Sequence, residues 1–110
     1  MVDMVQYDLT EEQRMLQDMV RKMAKEQVEP GAAKRDEEAK FDWEMVKLLG
    51  ENGLMGIDFP EAYGGAEAGL LSLILVIEEL CKVDASVGLN VAVQELGTLP
   101  ILLAANEEQK

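Results

Sequence analysis

The sequence contains no histidine and one cysteine, Cys81. The commonest metal ligand and the commonest general base are therefore both absent. No HExxH, CxxC or nucleophile-elbow motif assigns a metal site or a catalytic residue either. A single cysteine cannot close an internal disulfide, which fits a reduced, cytoplasmic setting. Because Cys81 lies in an apolar stretch, we expect its thiol to be buried in the core.

Positive charge is also scarce, with 10 basic against 22 acidic side chains and a net charge of -12. Nucleic acids and anionic membrane surfaces both require a basic face, so we expect neither as a partner. The longest apolar run, residues 69–77, is broken by Ser72. It is far shorter than the roughly 20 residues that a membrane span needs. The start of the sequence lacks the arginine-rich character of a transit peptide, so we expect a cytoplasmic location.

Aromatic residues are few: one Trp, two Tyr and two Phe. The core must instead be built from Leu, Ile, Val, Ala and seven Met, a mixture that favours helix over sheet. A length of 110 residues suits one domain. We therefore predict an all-α domain over residues 1–110, a bundle of five or six short helices.

Local signals place the helices along the chain. Thr10 and Gln13 form a predicted capping box before an apolar stripe of helical period, and Pro30 with Gly31 should end or bend this helix. Asp42 should begin a helix lined by Trp43, Val46 and Leu49, which Gly53 ends. The other helices are predicted over residues 32–40, 70–83 and 85–95, and again after Thr98, beyond Gly97.

The helix over residues 70–83 is apolar almost all the way round and must be buried on all sides. It is either the central helix of a small bundle or a helix that packs on a partner surface, and the sequence leaves both open. Glu78 and Glu79 interrupt it. Because adjacent helical residues point about 100° apart, they cannot readily share a proton. We expect them to form a solvated or interface edge.

The helix after Asp84 carries the candidate binding residues. Gly88, Leu89, Ala92 and Leu96 share its predicted face, and the small Gly88 and Ala92 would open a groove. Another helix or a slender ligand could enter it, close helix packing being the commoner explanation. A second capping box over residues 106–109 predicts a helix that would begin just before the last residue, Lys110. A single helical turn is unstable alone, so either this end frays or the sequence is part of a longer protein, and we favour the second.

The order and spacing of several segments resemble the acyl-CoA dehydrogenase family along nearly the whole chain. These segments are LTEEQ (9–13), VEP (28–30), GLMGI (53–57), PEAYGG (60–65), EEL (78–80), DASV (84–87), LGTLPI (96–101) and EEQK (107–110). The resemblance implies the N-terminal helical domain of that fold. The family's middle β domain, which holds much of the FAD site, and its C-terminal helical bundle would lie outside this sequence.

By this resemblance the parent enzyme would oxidise the α,β carbon–carbon bond of an acyl-CoA thioester to an enoyl-CoA, with FAD as hydride acceptor. Gly88, Leu89, Ala92 and Leu96 would help to line the acyl pocket, and this segment alone would be inactive. The other two domains, electron-transfer flavoprotein and further subunits of a dimer or tetramer are the implied partners. The alternatives are an acyl-CoA oxidase or flavin monooxygenase of the same superfamily, and a helical interaction module with no enzymatic role.

Overall fold

The computed structural model describes residues 7–110, and all regular structure among them is helical, which confirms the all-α class. A π turn, Ala24–Val28, joins the first two helices, and a short 3-10 turn spans Glu61–Tyr63. Because the π turn joins the first two helices into one continuous segment, residues 7–110 form four helical segments, fewer than the five or six helices predicted. The helices are α1 Glu11–Met23, α2 Glu29–Glu38, α3 Trp43–Glu51, α4 Leu70–Val83 and α5 Ala85–Ala104.

The first helical segment begins as predicted and continues past Pro30. The Gln13 amide donates to Thr10 Oγ1 at 3.2 Å, and the Thr10 amide donates to Gln13 Oε1 at 2.9 Å. Of the predicted end or bend at Pro30 and Gly31, the end was wrong, because the helix continues through both residues. In the π turn the Glu29 amide donates to the Ala24 carbonyl, and Pro30 lies in the first turn of α2, where its missing N–H costs little.

Helix α3 has the predicted ends and part of the predicted lining. Asp42 Oδ1 accepts the Glu44 amide at 3.0 Å, and Gly53 follows the helix with a φ of 71°. Leu49 is fully buried, whereas Trp43 is 74% exposed and stacks edge-on against Phe41. Trp43 lies in the first turn and points away from the core. The lining prediction for Trp43 was therefore wrong.

Helix α4 lies at the centre of the bundle, packed between α1 and α5. Its buried face carries Leu73, Val76 and Leu80, while Leu70 and Ile74 are about half exposed. Among residues 7–110, other helices therefore cover α4 on two sides, and the apolar strip with Leu70 and Ile74 stays exposed. The core as a whole comprises Val20, Met23, Ala24, Val28, Leu49, Leu54, Ile57, Leu73, Val76, Leu80, Val87 and Val91.

Glu79 is buried, with 2% of its surface exposed, so its prediction as a solvated or interface edge was wrong. Arg21 donates to both of its carboxylate oxygens, from Nε at 3.1 Å and from Nη2 at 3.0 Å, and Lys82 Nζ approaches Oε1 at 2.8 Å. A glutamate can enter a core when its charge is paired in this way. The hydrogen bonds from Arg21 lower the pKa of Glu79 more than burial raises it. Glu78 is exposed as predicted.

Helix α5 runs unbroken through Gly97 and Pro100, so the predicted boundary at Gly97 was wrong. Gly97 does not adopt the left-handed conformation that ends many helices, and Thr98 Oγ1 donates to the Gln94 carbonyl at 2.6 Å. Its most apolar 18-residue window has a mean hydropathy of 1.5, enough by length and composition to cross a membrane. One such helix is weak evidence for a span, so the absence of a span stays a prediction.

We expect Glu79→Gln to lower the free energy of unfolding by about 1–2 kcal/mol, because it removes the charge that pairs with Arg21. Since the folded-state pKa of Glu79 lies below its ordinary value of 4.5, the ion pair stabilises the fold above that range. This contribution is lost as the pH falls through the lowered pKa, so the wild type and the variant should converge in acid.

Urea unfolding followed by circular dichroism from pH 7 to pH 3 measures this difference. Glu78→Gln is the matched control, since its exposed carboxylate should change stability by no more than about 0.5 kcal/mol. Equal losses in the two variants at pH 7 would contradict the assigned role of Glu79.

Candidate functional site

The outward face of α5 carries most of the predicted acyl-pocket residues. Leu89 is 57% exposed, Leu96 is 71% exposed and Ala92 is half-buried. At about 100° per residue, these three side chains share one side of the helix with Val93 and Leu103. We call Leu89, Ala92, Val93, Leu96 and Leu103 the α5 face. The structure thus brings three of the four predicted residues together on one surface.

Gly88, the fourth predicted residue, faces α4 instead. A Cβ added at Gly88 would lie 2.3 Å from Cys81 Sγ and 3.2 Å from the Ile77 carbonyl oxygen. In this structure its missing side chain therefore permits close packing of α4 and α5, the commoner of the two explanations that the sequence left open. A contact between Gly88 and an acyl chain stays a prediction.

Cys81 was expected to be buried, and that expectation was wrong, because the residue is exposed at the edge of the α4–α5 contact. Its Sγ lies beside Gly88 rather than inside the core. Partial burial of the sulfur and the negative charge of Asp84 raise the pKa of the Cys81 thiol. This environment disfavours the thiolate, so Cys81 is not an activated nucleophile.

The α5 face is large and apolar for a surface in contact with water. Four of its side chains, Leu89, Val93, Leu96 and Leu103, are each more than half exposed. Contiguous apolar patches of this kind mark binding sites for ligands or protein surfaces. Its chemistry is that of burial alone, because none of its five side chains can donate a hydrogen bond, carry charge or transfer a proton.

A groove of about 600 Å³ opens on the other side of α5, against the loop that joins α3 to α4. No sequence pattern indicates this groove, although glycines 53, 56, 64 and 65 mark the loop that forms one wall. The Tyr63 hydroxyl donates to Glu107 Oε2 at 2.6 Å, and the residue is 42% exposed. The other residues that line the groove include Met55, Phe59, Gln94, Thr98, Ile101, Leu102, Gln109 and Lys110.

The turn after α5 has the predicted second capping box. The Gln109 amide donates to Asn106 Oδ1 at 3.0 Å, and the Asn106 amide donates to Gln109 Oε1 at 3.2 Å. The Tyr63 hydrogen bond lowers the pKa of Glu107 and ties this turn to the loop. Loop, turn and inner side of α5 thus form one connected wall around the groove.

The residues around this groove do not fit FAD. A flavin dinucleotide carries a pyrophosphate, which proteins hold with cations or with free amides at a helix N-terminus. The groove's cation, Lys110, already lies 3.7 Å from a Glu107 carboxylate oxygen. None of the residues that line the groove belongs to the first turn of an α-helix. Within residues 7–110 there is also no group of His, Cys, Asp and Glu side chains suited to a metal ion.

We predict opposite effects for two glycine-to-alanine changes within α5. Gly88→Ala should lower the free energy of unfolding by about 1–3 kcal/mol, because the added methyl overlaps α4. Gly97→Ala should raise it by about 0.5–1 kcal/mol, since nothing lies within 4 Å of its position and alanine is the better helix former. Thermal unfolding of both variants against the wild type measures the effects. A neutral or stabilising Gly88→Ala would contradict the tight α4–α5 contact.

The chain was compared with known proteins. The family model for the acyl-CoA dehydrogenase N-terminal domain matches residues 10–110. An acyl-CoA dehydrogenase of Bacillus subtilis (strain 168) is 43% identical over 103 residues, which make up 93% of this chain and 27% of that protein. The chain therefore spans about a quarter of the length of this curated relative.

Two solved structures share the fold. Butyryl-CoA dehydrogenase from Megasphaera elsdenii aligns with a TM-score of 0.85 and 31% identity, covering 96% of this chain and 28% of that one. A chain in the structure of the electron transferring flavoprotein of Acidaminococcus fermentans, a study of flavin-based electron bifurcation, aligns with a TM-score of 0.88 and 36% identity over the same shares. This chain belongs to the acyl-CoA dehydrogenase N-terminal domain family.

Proposed function

We propose that this chain is the N-terminal domain of a flavin-dependent acyl-CoA dehydrogenase and that its α5 face forms part of the wall of the acyl pocket. The observation that carries the proposal is the row of exposed apolar side chains on α5, which the rest of the described chain leaves uncovered. The family match supports it. The activity of the whole protein is part of the proposal, because the chain spans only 27% of its Bacillus relative.

The proposed reaction oxidises the α,β carbon–carbon bond of an acyl-CoA thioester to an enoyl-CoA. FAD, held by residues outside this chain, would accept the hydride from the β carbon. The base that removes the α proton would also lie outside this chain. The residues of the α5 face have a simpler task. They bury acyl carbons at about 0.8 kcal/mol per methylene group and exclude water from the pocket.

The shape of the α5 face would set the preferred length and bulk of the acyl chain. Ala92 presents only a methyl group between the larger Leu89 and Leu96, so it leaves a shallow depression on the α5 face. A longer or bulkier acyl group would use that space. Because Gly88 points towards α4, we propose that Ala92 contributes more to acyl selectivity than Gly88 does.

The same proposal covers the partners. The acyl-CoA substrate, the β domain, the C-terminal helical domain and further subunits of a dimer or tetramer would meet this domain, and the location would be cytoplasmic. An electron-transfer flavoprotein would take the electrons, which the match to the Acidaminococcus fermentans structure supports. The Bacillus and Megasphaera relatives are dehydrogenases by name, which favours a dehydrogenase over an oxidase, a monooxygenase or a non-enzymatic module.

We expect Ala92→Phe in the full-length protein to shift the acyl preference towards shorter chains. If the ring excludes about two methylene groups, kcat/KM for the longest good substrate should fall about tenfold relative to butyryl-CoA. Steady-state assays on a series of saturated acyl-CoA substrates measure the ratio.

Ala33→Phe, the same change at an exposed position on α2, is the control and should leave the profile as in the wild type. An unchanged profile in Ala92→Phe would contradict the assignment of α5 as an acyl wall. A wild-type protein that oxidises no acyl-CoA would contradict the proposed function itself.

A further inference from the structure

One arginine side chain connects the starts of two helices. The Arg35 side chain on α2 is only 12% exposed, and its Nε donates to Asp84 Oδ2 at 2.8 Å. Its Nη1 lies 3.5 Å from Asp42 Oδ2, and its Nη2 donates to the Val28 carbonyl. The guanidinium therefore contacts α2's own beginning, the residue before α3 and the residue before α5.

Both acidic partners of Arg35 are N-cap residues. Each uses one carboxylate oxygen for the helix cap and the other for Arg35. Asp84 Oδ1 accepts the Ser86 amide at 3.0 Å and the Ser86 hydroxyl at 2.6 Å, while Oδ2 faces Arg35. In Asp42, Oδ1 accepts the Glu44 amide and Oδ2 faces Arg35. One oxygen of each residue thus starts a helix, and the other holds that start to α2.

The geometry around Arg35 is specific. A planar guanidinium presents donors in several fixed directions, whereas a lysine ammonium acts as a single point charge. Gly31, one turn earlier on α2, leaves room for the group, because a Cβ there would lie 2.5 Å from Nη1. The Asp84 side chain is only 9% exposed, so little water competes for its Oδ2.

Asp84 also stands at the corner between α4 and α5. Its amide donates to the Leu80 carbonyl at 2.9 Å, and its carbonyl accepts the Gly88 amide at 3.1 Å. Leu89 and Ala92 follow within the first two turns of α5. A change in the position of Asp84 would therefore move the near end of the α5 face.

We propose that Arg35 is a positioning residue for the acyl pocket, which fixes the start of α5 through Asp84 and so sets where Leu89 and Ala92 meet the substrate. This inference rests on the proposed function of the α5 face. Because the α5 face would recognise acyl carbons by burying them, a displaced wall would bury fewer of them and weaken substrate binding. An ion pair outside the pocket can therefore control selectivity.

The test uses Arg35→Gln and Asp84→Asn in the full-length protein, singly and together. Asparagine is as good an N-cap as aspartate, so Asp84→Asn removes the ion pair and keeps the start of α5. Lys34→Gln is the matched control, since it removes one positive charge from an exposed neighbour on the same helix. Amide hydrogen exchange of residues 86–89 and KM and kcat across an acyl-CoA series are the readouts.

We expect both single variants to speed exchange at residues 86–89 and to raise KM for the preferred acyl-CoA about tenfold, with kcat changed less than about twofold. The double variant should be no worse than either single variant, because both act through one pair. Lys34→Gln should match the wild type in both measurements.

The failures are distinguishable. A wild-type protein that is inactive on every acyl-CoA overturns the proposed function and the inference with it. An active wild type whose Arg35→Gln and Asp84→Asn variants keep the wild-type KM profile overturns the inference alone, even if both are less stable. Unchanged exchange at residues 86–89 also overturns the inference, because Arg35 would then not hold the start of α5.

Discussion

The structure depends on the burial of α4 between α1 and α5. On the α1 side, Val76 and Leu80 enter the core beside Glu79, whose charge Arg21 neutralises. On the α5 side, Gly88 brings the two helix backbones close together. Few aromatic residues are available to fill space, so a densely packed core has to come from helices that pack closely through aliphatic side chains. Helix α4 is therefore the main packing partner of both neighbouring helices.

The candidate function follows from which side of α5 this packing uses. The inner side, with Val87, Gly88 and Val91, is committed to the bundle. Farther along the helix the same side borders the groove and the loop. Leu89 and Leu96 face outward, where the other described residues leave them exposed. A helix that is apolar on both sides but covered on one belongs to a larger assembly or to a binding pocket. Family membership gives this uncovered surface its proposed place beside an acyl chain.

Sequence reasoning succeeded where the signal was local. The caps at Thr10 and Asp42 and the bounds of α4 follow from neighbouring residues alone, and the structure has them as predicted. It failed where a distant partner decides. Glu79 is buried because Arg21, 58 residues away, is in reach. Cys81 lies at the exposed edge of the contact that α4 makes with Gly88 of α5. No periodic pattern in the sequence predicts the glycine-lined groove.

The most direct test of the uncovered α5 face is sedimentation velocity of the 110-residue chain at several concentrations. The wild type is compared with a triple variant, Leu89→Gln, Leu96→Gln and Leu103→Gln. The account predicts that the wild type self-associates as concentration rises, while the triple variant stays monomeric and unfolds at nearly the same temperature. A monomeric wild type together with an unfolded triple variant would contradict it, because these leucines would then be part of the core.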